Sequence, residues 1–398
     1  MADIRKQPIF SFLSFLVIGI FSIGTFWMHY QQLCLGGKGS DVYISDLLMH
    51  LGFAQEGKIY SLALLLIGIA FDFGMFKGVA AVLTMFHLMA VAVFALGLRI
   101  ALPQMSLLIQ LICSVMACMA QAVWIPYGGY WYAGTVSGTI YHNTTYIMLA
   151  PFSLLTMLLF YRVWKNVHKK LEMRVWVAYT TALTLATSFK PNFIVAFAPA
   201  LLVLLIADLI STQGKNLKNE IIIGTSVFPG VALCLVQTTV LFASEKSPLQ
   251  LIFMAEFDPQ RMVWGLFTTD SVIGLLRSFV FVASVAILLG RWAWKTFTYR
   301  FGFLVFCVAM AEALLLVENG IRMYDANMWW GPFVCYWIFL FESVLAWCRS
   351  FLDWCHGQRT NALGIRLLLC GLFFAWHCVS GIYYWIKLVQ GASYAFAM

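Results

Sequence analysis

Charged side chains are scarce in this sequence: 11% of 398 residues, against 62% that are hydrophobic. An ordinary soluble domain has about 25% charged and roughly 45–50% apolar residues. Water cannot solvate such a surface, so the expected solvent is lipid. Long polar stretches, low-complexity tracts and internal repeats are missing as well, which argues against a separate soluble domain or a repeat array. Ten cysteines are present, but no CxxC pair and no Cys/His metal spacing. Most of them, such as Cys113, Cys118, Cys234, Cys307 and Cys370, lie in apolar runs, where cysteine acts as a small hydrophobe. There is no P-loop and no glycine-rich phosphate cradle, so a site for ATP or a nucleotide-activated donor is not expected. The net charge of +8 calls for no nucleic-acid partner, because basic loops account for it. No cofactor is indicated, and a divalent metal is compatible with the pattern without being required by it.

What the sequence does have is long apolar runs. Helices satisfy their own backbone hydrogen bonds in hydrocarbon. A β-barrel would instead show short alternating segments. The expected fold is therefore all-α: one polytopic transmembrane domain over residues 1–398, with about eleven spans. Ile9 to Met28 follows Arg5 and Lys6 with no small-residue cleavage site after it, so it reads as a retained first helix with a cytoplasmic N-terminus. Tyr60 to Phe73 is short and carries Asp72, which suits an interfacial or re-entrant helix. The remaining spans are expected over Gly78–Leu98, Met105–Trp124, Tyr146–Tyr161, Val175–Phe189, Asn192–Ile210 and Ile221–Phe242, then Ser271–Gly290, Phe301–Val317, Gly331–Trp347 and Leu367–Leu388. Val175–Phe189 stops at Lys190-Pro191, because proline disfavours helix in the residue before it.

Positive charge orients this arrangement. Sixteen of the twenty-five lysines and arginines fall on one side, eight on the other, and Arg277 within a span. The richer side is expected to be cytoplasmic. That leaves outer loops at 30–77, with interfacial helices, at 244–268 and at 318–330, and a C-terminus outside.

The outer side collects the chemistry. Asp46 and His50 are four residues apart and share a face of any helix through them. A carboxylate at that interface suits a general base acting on a hydroxyl; the polar face of a surface helix is the simpler alternative. Asp41 is the second base candidate. Arg322, in "ENGIRMYDANMWWG", suits a phosphate, which a guanidinium grips with two parallel hydrogen bonds. Glu318, four residues earlier, is a candidate substrate contact or simply its ion partner. Lys190 is a second phosphate candidate, with snorkelling to the interface as the alternative. His142 and Asn143 in "YHNTTY" are further candidate contacts, with helix capping as the alternative for Asn143. Asn143-Thr144-Thr145 matches a glycosylation acceptor in form, but it abuts a membrane helix. Glu256, Asp258 and Arg261, in "LIFMAEFDPQRMVWGLF", suit a membrane-surface helix that gates the site.

In this order, these segments resemble the GT-C class of integral-membrane glycosyltransferases. "SDLLMHLGFAQEGKIYSLALLLIG" looks like their first outer loop, "YHNTTYIMLAPFSLL" like a "WHNPTY…RPF" stretch, "SFKPNFIVAFAPALL" like a short span broken at "KP", and "ENGIRMYDANMWWG" like an "E-x-G-x-R…GN-x-x-WG" segment. The chain departs from that pattern in lacking the proline after Asn143, in having Ala150 for arginine, and in having Ala326 for glycine. The resemblance implies transfer of a sugar from a polyprenyl-phosphate donor to a glycan, lipid or protein acceptor at the outer face of a bacterial plasma membrane. It implies Asp46 as base, Arg322 and Lys190 at the phosphate, and His50 and His142 as secondary contacts. The rival readings are a transporter or flippase for a lipid-linked or small anionic solute, and a non-catalytic membrane partner protein.

Overall fold

The computed structural model describes residues 7–36, 45–125, 135–241, 251–253, 271–318, 327–357 and 359–394. Helix α1 (Gln7–Gly36) is followed by the short α2 (Leu47–Gln55) and by α3 (Leu62–Ala101), α4 (Leu107–Met119), α5 (Thr144–Trp164) and α6 (Met173–Phe189). Next come α7 (Asn192–Thr212), α8 (Leu217–Thr225) and α9 (Phe228–Leu241), then β1 (Leu251–Phe253) and α10 (Ser271–Ser284), which runs on as a π turn, Val285–Leu289. The last elements are α11 (Phe297–Leu315), β2 (Leu316–Glu318), α12 (Trp330–Cys355) and α13 (Asn361–Val389). Ser61, Ser106, Asn143 and Thr360 start α3, α4, α5 and α13 by accepting a backbone N–H from the first turn.

Among the described residues, eight helices are long and apolar enough to cross a membrane. The chain is thus a polytopic helical bundle. Three other expected spans are shorter helices: α4 with 13 residues, α6 with 17 and α10 with 14. The expected span Met105–Trp124 ends early because the chain turns extended after Met119. There the N–H of Gln121 bonds the His377 carbonyl at 3.3 Å and that of Val123 bonds the Arg277 carbonyl at 3.0 Å. Backbone paired with neighbouring helices needs no helix of its own, which permits irregular chain inside a membrane protein. The first strand is a second correction. Leu251–Phe253 pairs antiparallel with Leu316–Glu318 instead of beginning a surface helix, and this ribbon ends the expected span Phe301–Val317 at Leu315, although that helix starts earlier, at Phe297.

The packing follows lipid rules. In α12, 94% of the apolar window is buried, against 22% in α1, so α12 is the axis and the others shield it. Outward-facing residues such as Phe73, Phe15 and Ile287 are left bare, as lipid contact allows. At 40 residues, α3 is about 60 Å long by helical rise, twice a bilayer core of about 30 Å. It is broken at Met75 (φ 50, ψ −140), near the expected division between an interfacial helix and a span. Gly78 lies so close to the Ala70 carbonyl that any Cβ would overlap it. Residues eight apart in an unbroken helix are about 12 Å apart, so the chain folds back sharply here.

Two ends of the bundle are distinguishable. At one, Arg162 pairs with Glu172, His168 with Asp208, and Asn219 donates to the Val167 and Lys169 carbonyls. The other end gathers the start of α2, the start of α5, the α6–α7 break and the start of α12.

Candidate functional site

The site is built on a buried irregular segment, residues 135–143, expected from sequence to be an exposed outer loop. Val136 to Asn143 are buried instead. The N–H of Val136 donates to Ser278 Oγ (2.8 Å), Gln121 Nε2 to the Thr139 carbonyl (2.8 Å), and the Tyr146 hydroxyl to the Gly138 carbonyl (2.9 Å). This wedge carries the start of α2, because the N–H of Asp46 donates to the His142 carbonyl at 3.0 Å.

Asp46 stands just before the first residue of α2, at its N-cap position, but its side chain makes no cap hydrogen bond. Its carboxylate turns to Asn143, whose Nδ2 donates to Oδ2 at 2.7 Å. The same Asn143 caps α5, its Oδ1 accepting from the Tyr146 N–H at 3.1 Å and from the Thr145 hydroxyl at 2.8 Å. Thr145 Oγ1 in turn accepts from Lys190 Nζ at 3.1 Å. The result is a head-to-tail chain from ammonium to carboxylate through one hydroxyl and one amide. Every donor points the same way, so each bond polarises the next. Asn143 is buried and its amide is committed at both ends, which leaves no exposed acceptor for a glycan.

Lys190 occupies the break between α6 and α7. It does not snorkel along lipid; its Nζ lies 4.3 Å from the Trp330 ring centre, a cation–π contact. Trp330 also faces His142 and Tyr146, each ring 6.0 Å away, and Tyr394 stacks on His142 at 3.9 Å. The Asn192 side chain closes the same end by donating to the Asn327 carbonyl at 2.9 Å.

The imidazoles are uncharged at neutral pH. Burial pushes His50 down to about 4; Asp46 opposes this, and Lys190 and His142 add to it. His142 is likewise pushed down to about 4 by burial, with Asp46 opposing and Lys190 adding. Burial and then Asp46 push the Tyr394 hydroxyl up to about 12. His50 and His142 can therefore hydrogen-bond a polar ligand but supply no positive charge to a phosphate.

The structure thus brings together Asp46, His50, His142, Asn143 and Lys190. Asp41, Glu256, Asp258, Arg261 and Arg322 lie outside the described residues, and Glu318 ends β2 opposite Leu251. Thr145, Trp330 and Tyr394 were missed as site residues. Thr145 showed only as part of a glycosylation-like triplet, Trp330 only within the quoted "ENGIRMYDANMWWG" segment, and Tyr394 gave no signal. Deeper in the bundle, His87 lies 5.1 Å from Tyr141 and stacks on His29 at 5.2 Å, ring centre to ring centre. The Gln32 amide is buried beside His29. No group of three metal-binding side chains occurs among the described residues.

These features define an integral-membrane helical protein with a carboxylate–lysine site at one end of the bundle. No protein-family model matches the chain, and no curated protein matches it in sequence.

Proposed function

We propose that this protein is a membrane glycosyltransferase that moves a sugar from a polyprenyl-phosphate donor to an acceptor hydroxyl. Asp46 is the general base. It takes the hydroxyl proton as the acceptor oxygen attacks the anomeric carbon and the bond to phosphate breaks. One displacement of this kind inverts the anomeric centre. Lys190 and Arg322 supply positive charge to the phosphate as it leaves. His50, His142 and Trp330 suit the sugar: neutral imidazoles for its hydroxyls and a flat ring for its face. Glu318 is assigned to substrate contact, Glu256, Asp258 and Arg261 to a gating loop, and Asp41 is the second base candidate.

The observation that carries this reading is the hydrogen-bonded chain Lys190–Thr145–Asn143–Asp46. A half-buried carboxylate held at a fixed angle and polarised from the far end by an ammonium is prepared for proton transfer.

The test measures release of polyprenyl phosphate from a panel of polyprenyl-phosphate hexoses by the purified full chain. Asp46→Asn keeps the shape and removes the basicity, so release should fall by about 10²–10⁴. Donor binding should change little. Arg322→Ala and Lys190→Met should weaken donor binding and slow release together. Full activity in Asp46→Asn eliminates the base assignment and makes Asp41 the next residue to replace. No release from any donor by the wild type removes the reading altogether.

A further inference from the structure

At the far end of the bundle from Asp46, the π turn after α10 ends at Gly290, whose backbone (φ 36, ψ −107) throws the chain sideways. Interruptions of this kind recur at functional positions. Here the interruption opens a cavity of about 480 Å³ lined by Ile287, Leu288, Leu289, Gly290, Arg291, Trp292 and, from α13, Arg366. Trp164 stacks on Phe297 at 5.6 Å, which places this region at the end that carries Arg162 and the basic 165–174 loop.

Two guanidiniums line one cleft, and among the described residues neither is in an ion pair with an acid: Lys58–Glu56, Arg162–Glu172 and His168–Asp208 pair elsewhere. Both arginines are exposed. Arg291 is held 4.4 Å from the Trp292 ring centre, which fixes its plane. The surroundings are apolar and bare: Ile287 is 77% exposed, and Leu369, three residues after Arg366 and so on its face of α13, is 37% exposed. Two cations beside an apolar rim, one of them held against Trp292, fit a ligand that joins a phosphate to acyl chains. Free phosphate would gain nothing from the rim, and a neutral zwitterionic headgroup would bring its own cation against the arginines.

We propose that this cleft binds the phosphate of an anionic phospholipid. Arg291 and Arg366 grip the phosphate oxygens, and an acyl chain lies along Ile287 and Leu369. Basic pockets between membrane helices are suited to such headgroups. The site is separate from the Asp46–Lys190 cluster and does not depend on what that cluster does.

The experiment titrates the purified full chain, in neutral detergent, with phosphatidylglycerol, phosphatidylcholine or inorganic phosphate, and counts bound lipid by native mass spectrometry. The wild type should retain phosphatidylglycerol at least tenfold more tightly than phosphatidylcholine. The double variant Arg291→Ala/Arg366→Ala should lose that preference, while Arg174→Ala, another exposed basic residue at this end, should keep it. Arg291→Lys/Arg366→Lys preserves charge and tests the two-pronged grip; it should give an intermediate preference. Equal retention of the two lipids by the wild type overturns the proposal, and so does an unchanged preference in the double alanine variant. Complete displacement of the lipid by millimolar inorganic phosphate assigns the site to free phosphate and overturns the lipid assignment.

Discussion

Thr144 and Thr145 are neighbours, both buried, at the start of α5, and the structure assigns them opposite energetics. Thr145 accepts from Lys190 and donates to Asn143. Thr144 Oγ1 is buried with no hydrogen-bond partner. Valine is nearly isosteric with threonine, so Thr145→Val removes two hydrogen bonds and little volume. A bond from a charged donor is worth about 1.5–3 kcal/mol and a neutral one about 0.5–1.5, so the loss should be about 2–4 kcal/mol. With an unfolding entropy of about 2.1 cal/mol/K per residue, a chain of 398 residues shifts by about 1 °C in Tm per kcal/mol. Thr145→Val should therefore melt about 2–5 °C lower, by differential scanning fluorimetry in detergent. Thr145→Ser keeps the hydroxyl and should recover most of the loss. Thr144→Val removes an unpaired buried hydroxyl and should be neutral or stabilising. If the two valine variants melt within about 1 °C of each other, or serine behaves like valine at 145, the hydrogen-bonded chain does not carry the energy assigned to it.

Acidification should destabilise the fold. His50 and His142 are held at about 4, whereas an unfolded histidine titrates near 6.5. Between those values the unfolded chain takes up protons that the folded one refuses, so stability is complete above about pH 6.5 and declines as the pH falls toward 4; a Tm that rises on acidification would contradict the burial of both rings. Gly381→Ala should cost about 3 kcal/mol, since its Cβ would run into the Met119 carbonyl, while Gly19→Ala, with nothing near it, should be silent; recovery of folded protein by gel filtration compares them. In a cysteine-free background, an impermeant maleimide should label a cysteine at Lys58 from outside the cell and one at Lys169 only after permeabilisation. A cysteine at the buried Thr139 should resist in both cases; labelling of Lys169 in intact cells reverses the orientation.

Much of the bundle was legible because lipid imposes a simple code. Continuous apolar runs became helices, and the break at Lys190-Pro191 falls between α6 and α7. That Asp46 and His50 lie one turn apart followed from helical spacing, and the His50 backbone N–H donates to the Asp46 carbonyl at 3.0 Å. What could not be read was tertiary. The chain from Lys190 to Asp46 joins residues far apart in sequence through Thr145, a β-branched residue that looks like any other in an apolar helix. The run from Met105 to Trp124 reads as one span because an extended segment buried in protein is as apolar as a helix buried in lipid. The three-residue ribbon is too short for its period to stand out from the flanking helical runs.

The wedge at 135–143 also sets an order in time. Ribosomes deliver the chain from its N-terminus, so this segment leaves the exit tunnel well before its partners. Ser278, which receives the Val136 N–H, follows 142 residues later, and Phe333, whose carbonyl receives the Tyr146 hydroxyl, 187 later. Ser380, which receives the Trp124 N–H, comes 256 residues after it. Until those helices arrive, polar backbone from the wedge has only water, lipid headgroups or the translocation machinery to bond with. Tyr394 then closes over His142 after α13 is in place. The Asp46 end of the molecule is thus the last part to mature, and a nascent chain halted before α13 presents an open, unfinished site to the quality-control proteases of its membrane.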